Sequence, residues 1–178
     1  MINKRGQIWI ETVIYTLIGL SLIGVILAFA LPAIEKQKDK ITIERTIEAM
    51  NTLENNIIAA KISGPSSTRQ NIFTISRGQL TIDGKEEKII FEIEDSSYPY
   101  SEYEPRSSIV YIPGSSQKIM TAKNGKKFKI TSTLEYSGNI NIMYNDEENG
   151  VKVLGRAQTP YNLVVENRGE GKIDFFLS

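Results

Sequence analysis

The order of apolar and polar positions divides the chain into three stretches. From Thr12 to Ile34 there is no charged residue, and Ile, Leu and Val dominate. Wound as a helix this stretch measures about 34 Å, enough to cross a hydrocarbon core of about 30 Å. Beyond it Ile43, Ile47, Met50, Leu53 and Ile57 recur at spacings of three and four, the stripe of an amphipathic helix. Gly64-Pro65 stops that pattern. One helix is therefore predicted over 7–62, with a membrane or core half at 8–34 and an amphipathic half at 35–62. Its length is on the order of 80 Å. Pro32 lies inside it, removes the donor that would reach the Ala28 carbonyl and crowds that carbonyl with its ring. A kink or a loosened turn is expected between Ala28 and Pro32. Gly24 with Ala28, and Thr12 with Thr16, are small-residue pairs that let helices approach closely.

From residue 72 onward the period changes from 3.6 to 2. Phe128, Ile130, Ser132, Leu134 and Tyr136 share one face; Ile140, Ile142 and Tyr144 alternate likewise, as do Ile173, Phe175 and Leu177. Turn signals separate the runs at Arg77-Gly78, Asp83-Gly84, Asn124-Gly125, Asn149-Gly150 and Gly169-Glu170-Gly171. Strands are predicted at 71–76, 79–83, 87–94, 108–112, 117–122, 127–136, 139–145, 151–156, 161–167 and 172–177. The fold class is α+β: a long N-terminal hydrophobic and amphipathic helix, then an antiparallel β-sandwich-like domain over 63–178 packed on the second half of the helix.

Composition narrows the chemistry. The 178 residues hold 21 Lys and Arg against 21 Asp and Glu, so bulk attraction to nucleic acid is not expected. There is no Cys and no His, which excludes disulfides, thiolate nucleophiles, Cys or His metal ligation and imidazole catalysis. A Ser-His-Asp triad is impossible and no Gly-x-Ser-x-Gly elbow occurs. No catalytic residue, cofactor or metal site is predicted.

Lys4 and Arg5 precede the apolar stretch, which favours a cytoplasmic N-terminus and an outward C-terminal bulk; Lys36, Lys38 and Lys40 pull the other way. A cleaved secretory signal has a small-x-small site at Ala28-Phe29-Ala30, but the apolar run before it exceeds the usual ~7–15 residues. Glu11 stands at the edge of that run, where a charge is expensive and functional by default. A permanent single-span anchor is the other plain explanation.

The opening Lys4-Arg5-Gly6, then Gln7-Ile8-Trp9-Ile10-Glu11 and the apolar run, resembles the type IV prepilin leader (class III signal peptide). In that family a short basic segment ends in Gly, cleavage follows the Gly, and a Glu stands five residues after the cut. The resemblance implies a leader over 1–6, cleavage between Gly6 and Gln7, and a new α-amine on Gln7 that is mostly protonated at neutral pH. That amine would pair with Glu11 of a neighbouring subunit, and an unpaired Glu11 would penalise misregistered subunits. Gln7 and Glu11 match the archaeal pattern Gln-x-Ser-x-Glu-x-x-x-Leu, while Trp9 replaces Ser and Tyr15 replaces Leu. Pilins commonly carry a Pro where Pro32 stands. The function implied is a structural subunit of a type IV pilus-like surface filament, held in the membrane before assembly. The partners implied are identical or related pilin subunits, a prepilin peptidase, an assembly platform and an ATPase. The alternative is a membrane-tethered β module for binding or adhesion, or a minor pilin or pseudopilin, that does not polymerise.

Lesser features read as surface. Gly78 and Gly84-Lys85 miss phosphate-loop spacing and lack its Ser or Thr. Asn145-Asp146-Glu147-Glu148 is an acidic tip without EF-hand spacing. Tyr98-Pro99-Tyr100 with Tyr103 and Pro105 forms an aromatic segment suited to an inter-strand loop or to adhesion. Lys123, Lys126, Lys127 and Lys129 form a basic hairpin, and no N-glycosylation sequon occurs.

Overall fold

A computed structural model describes residues 4–102, 107–136 and 138–178, without the side chains of residues 4–8 and 107. The chain divides into two units, 1–38 and 39–178, with the boundary inside the first helix. That helix, α1, spans Lys4–Ser63 and continues through Pro32. In the first unit it is long and apolar enough to cross a membrane once. Its apolar side chains, from Trp9 to Ile34, are exposed. The hydroxyls of Thr16 and Ser21 turn back to the carbonyls of Thr12 and Leu17, both at 2.7 Å. Those bonds leave few polar groups to satisfy in an apolar surrounding.

In the second unit the expected periodicity is realised as packing. Ile43, Met50, Leu53, Ile57 and Ala60 of α1 are buried in one apolar cluster with both sheets. Ten strands follow: β1 (Thr68–Phe73), β2 (Gln79–Asp83), β3 (Lys88–Ser96), β4 (Ser107–Tyr111), β5 (Gln117–Asn124), β6 (Lys127–Glu135), β7 (Asn141–Tyr144), β8 (Val151–Leu154), β9 (Tyr161–Gly169) and β10 (Lys172–Leu177). They form a four-stranded sheet, β1-β9-β10-β7, and a six-stranded sheet, β4-β5-β6-β3-β2-β8. The α+β class, with a long helix followed by antiparallel sheets, is as expected. One pairing differs in sense: β7 lies parallel to β10, with Ile173 beside Ile142.

Strand ends moved where partners, not local pattern, set them. β1 begins at Thr68 rather than residue 71, because Ser66 and Ser67 already exchange backbone bonds with Asn167 at 2.7 and 2.9 Å. β7 stops at Tyr144 because Asn145 and Asp146 take positive φ (52° and 64°). β3 runs on to Ser96 across an irregularity at Asp95, itself at φ 55°. The β9–β10 hairpin turns on Glu170-Gly171, both at positive φ, as a tight two-residue loop requires.

Gly78, between β1 and β2, has φ 88°, and a Cβ there would lie 2.2 Å from the Glu92 carbonyl oxygen. Gly78→Ala is expected to destabilise the second unit by about 2–4 kcal/mol, combining left-handed strain with overpacking. Denaturant unfolding of the detergent-solubilised chain measures this.

Candidate functional site

The residues singled out at the N-terminus lie on α1. Gly6 and Gln7 are helical in backbone, as are Lys4 and Arg5, whose side chains fall outside the description. Glu11 is exposed, and no cation pairs with it among the described residues. The apolar residues beside it, Trp9, Ile10, Val13 and Ile14, are exposed.

The polar chemistry of the second unit is concentrated under α1. Two acids, Asp39 and Glu54, are only 5% and 3% exposed. Asp39 accepts from the Ser97 amide at 2.6 Å and pairs with Arg77, whose guanidinium also donates to the Glu94 and Asp95 carbonyls at 2.8 and 2.5 Å. Glu54 accepts from the Ser116 amide at 2.7 Å and from the hydroxyls of Ser115 and Ser116. Asn167 of β9 donates to the Ala60 and Lys61 carbonyls at 3.0 and 3.3 Å, satisfying acceptors in the last turn of α1. Asn56 donates to Asn71 of β1 at 2.6 Å. These contacts tie the helix to the β1–β2 and β3–β4 connections, to the β4–β5 turn and to both strands of the β1–β9 pair.

Asp39 and Glu54 were not singled out by sequence reading as buried, although the signal was present. They extend the stripe itself: 39, 43, 47, 50, 54 and 57 follow one another at spacings of three and four. An acid on the apolar face of an amphipathic helix must find donors, and here neighbouring loops supply them.

Tyr136, next to this cluster, is 7% exposed, and its hydroxyl has no hydrogen-bond partner among the described residues. Burial raises its pKa, and the charge of Glu54 adds to the rise.

The outer surfaces are largely self-neutralised. Lys129 lies 2.6 Å from Glu92 and 3.7 Å from Glu94; its hydrogen bond lowers the Glu92 pKa, and Glu92 in turn raises that of Lys129. Lys118 and Lys88 both engage Glu135. Lys127 donates to the Ser97 hydroxyl, so the basic hairpin does not gather four free cations. At the acidic tip Asp146 pairs with Arg168 at 2.7 Å and Glu148 with Lys172 at 2.7 Å. Arg168 also reaches Asp174, which is fully buried, at 3.0 Å. Among the described residues no cluster could hold a metal ion. Tyr98 and Tyr100 pack, half-buried, against the core; Tyr103 and Pro105 lie outside the described residues. Gly78 and Gly84 fall at opposite ends of β2 and do not share a loop.

No protein-family model matches this chain, and no curated protein or solved structure resembles it significantly.

Glu54→Ala strands the Ser116 amide and is expected to cost about 2–4 kcal/mol of stability, by chemical denaturation, with Glu54→Gln costing less. Tyr136→Phe removes an orphaned hydroxyl and should leave stability unchanged or raise it by about 1 kcal/mol. The folded pKa of Tyr136 lies above the ordinary value near 10, so the folded state holds this proton more tightly than the unfolded one and stability declines as pH rises past about 10. The variant should show a shallower loss of stability above about pH 10.

Proposed function

We propose that this chain is a structural subunit of a type IV pilus-like surface filament, inserted as a single-pass membrane protein and processed after Gly6. The observation that carries the reading is the division of labour along α1. One continuous helix is exposed and free of charge over Thr12–Ile34, and its later turns are packed in a β domain. A solvent-facing row of Ile, Leu and Val is unfavourable in water and favourable in lipid or against identical helices.

In this reading the chain first rests in the bilayer with Lys4 and Arg5 on the cytoplasmic side. A prepilin peptidase then cuts the Gly6–Gln7 bond and frees the Gln7 amine. Extraction by an assembly platform and its ATPase places the apolar part of α1 among those of other subunits. There Glu11 of one subunit accepts the ammonium of another, and a misplaced Glu11 would sit uncompensated in a low dielectric. The β domain forms the outer surface. The chain carries out no catalysis in this scheme, and no nucleic-acid partner is assigned to it.

Mass spectrometry of the protein recovered from the cell surface is expected to give a first residue of Gln7. A start at Leu31 would make it a secreted β protein, and a retained Met1 in processing-competent cells a permanent anchor; either outcome sinks the proposal. Glu11→Ala should abolish filaments on electron micrographs while membrane insertion and β-domain folding persist.

A further inference from the structure

The six-stranded sheet ends in β4 on one side and β8 on the other, each paired along one edge only among the described residues. Proteins usually blunt such edges with charge, Pro or a bulge. β4 has none of these: it reads Ser-Ser-Ile-Val-Tyr, and Ile109 and Tyr111 are 53% and 71% exposed. β8 has a single charge, Lys152, whose ammonium lies over the Tyr144 ring, while Val151 and Val153 stand half-exposed.

The two edges match. Register runs straight across the sheet through Tyr111, Lys118, Thr133, Ile90, Thr81 and Val153. The exposed apolar residues of both edges therefore lie on the same face. Every pairing in this sheet is antiparallel, so across six strands β4 and β8 run in opposite directions. A second copy set with its β4 against β8 prolongs the ladder in the same antiparallel sense. With Val153 opposite Ile109, Val151 falls opposite Tyr111, a β-branched pair and an aromatic–β-branched pair of the kind that stabilises sheets. A shift by one residue would oppose outward to inward side chains and is disfavoured.

We infer that β8 of one copy adds to β4 of the next, so that the occupant of each free edge is a second copy of this chain. The contact is heterologous, and repeats in an open array rather than closing a dimer. It is also small. Strands of five and four residues compare with roughly 20–30 residues a side in a standard interface. Free chains would not be held by it; copies concentrated by α1 in a membrane or an assembly would. The setting, though not the edge match, rests on the filament reading above.

The chain has no Cys, so thiol trapping reports only introduced residues. The full chain carrying Ile109→Cys and Val153→Cys, in native membranes or surface assemblies, is treated with a short bis-methanethiosulfonate and run on a non-reducing gel. The expected result is a reducible ladder of dimers, trimers and higher species, with neither single variant cross-linking. Dimers from Ile109→Cys alone would overturn the head-to-tail contact in favour of a two-fold one. Absence of a ladder, with both thiols reactive to a maleimide, would overturn edge pairing altogether. The N-terminal residue of the same sample judges the filament reading separately. A Gln7 start without a ladder sinks only the edge contact, and a ladder on chains beginning at Met1 keeps the contact and sinks prepilin processing.

Discussion

The seating of α1 in the β domain is the contact from which the second unit takes its form. Ile43, Met50, Leu53 and Ile57 are essentially inaccessible to water, and each contributes about 1.5–3 kcal/mol of burial when it leaves solvent. Without the helix, the inner faces of both sheets would lose the surface they pack on: Leu80, Ile119, Leu163 and Phe175 belong to the same cluster. Neither sheet can be regarded as a self-sufficient layer. The helix is the common floor that lets a four-stranded and a six-stranded sheet share one core.

Apolar burial by itself is tolerant of sliding, and the buried acids remove that tolerance. Asp39 and Glu54 sit four turns apart on the same stripe, each received by a backbone amide and by side-chain donors from a different loop. A slip of one residue turns α1 by about 100° and carries it ~1.5 Å, which would strand both carboxylates. An uncompensated buried charge is costly enough to make such states rare. The acids thus fix the axial register of residues 39–63 within the β domain. Asn167, closing the last turn of α1 from β9, fixes the C-terminal end.

The exposed surface sorts into two kinds. Several of the β domain's outward charges are paired within the chain, as at Lys129 with Glu92 and at Lys172 with Glu148, which weakens the field for steering a charged ligand. Apolar exposure, by contrast, is continuous along the first part of α1 and recurs on both edge strands of the six-stranded sheet, besides single positions such as Ile62 and Ile72. Exposed apolar surface that is contiguous rather than scattered marks association. Membrane or helix-bundle burial suits the former, and strand addition the latter.

Local patterns in the amino-acid order determined the helix, its stop at Gly64-Pro65 and ten strands, because a 3.6-residue or two-residue period is carried by near neighbours in the chain. The leader reading is also local: the roles proposed for Gly6, Gln7 and Glu11 are what the resemblance to the type IV prepilin leader implies, and the partner of Glu11 in that reading belongs to another subunit. Tertiary structure alone decided what depends on residues distant in sequence. Strand order, the parallel β7–β10 pair and the early start of β1 follow from which edges meet, and alternation is the same for every candidate partner. Asp39 and Glu54 look like ordinary surface acids until the β3–β4 connection and the β4–β5 turn bring Ser97 and Ser116 to them. Burial of a charge is decided by its donors, and these donors arrive from about sixty residues away.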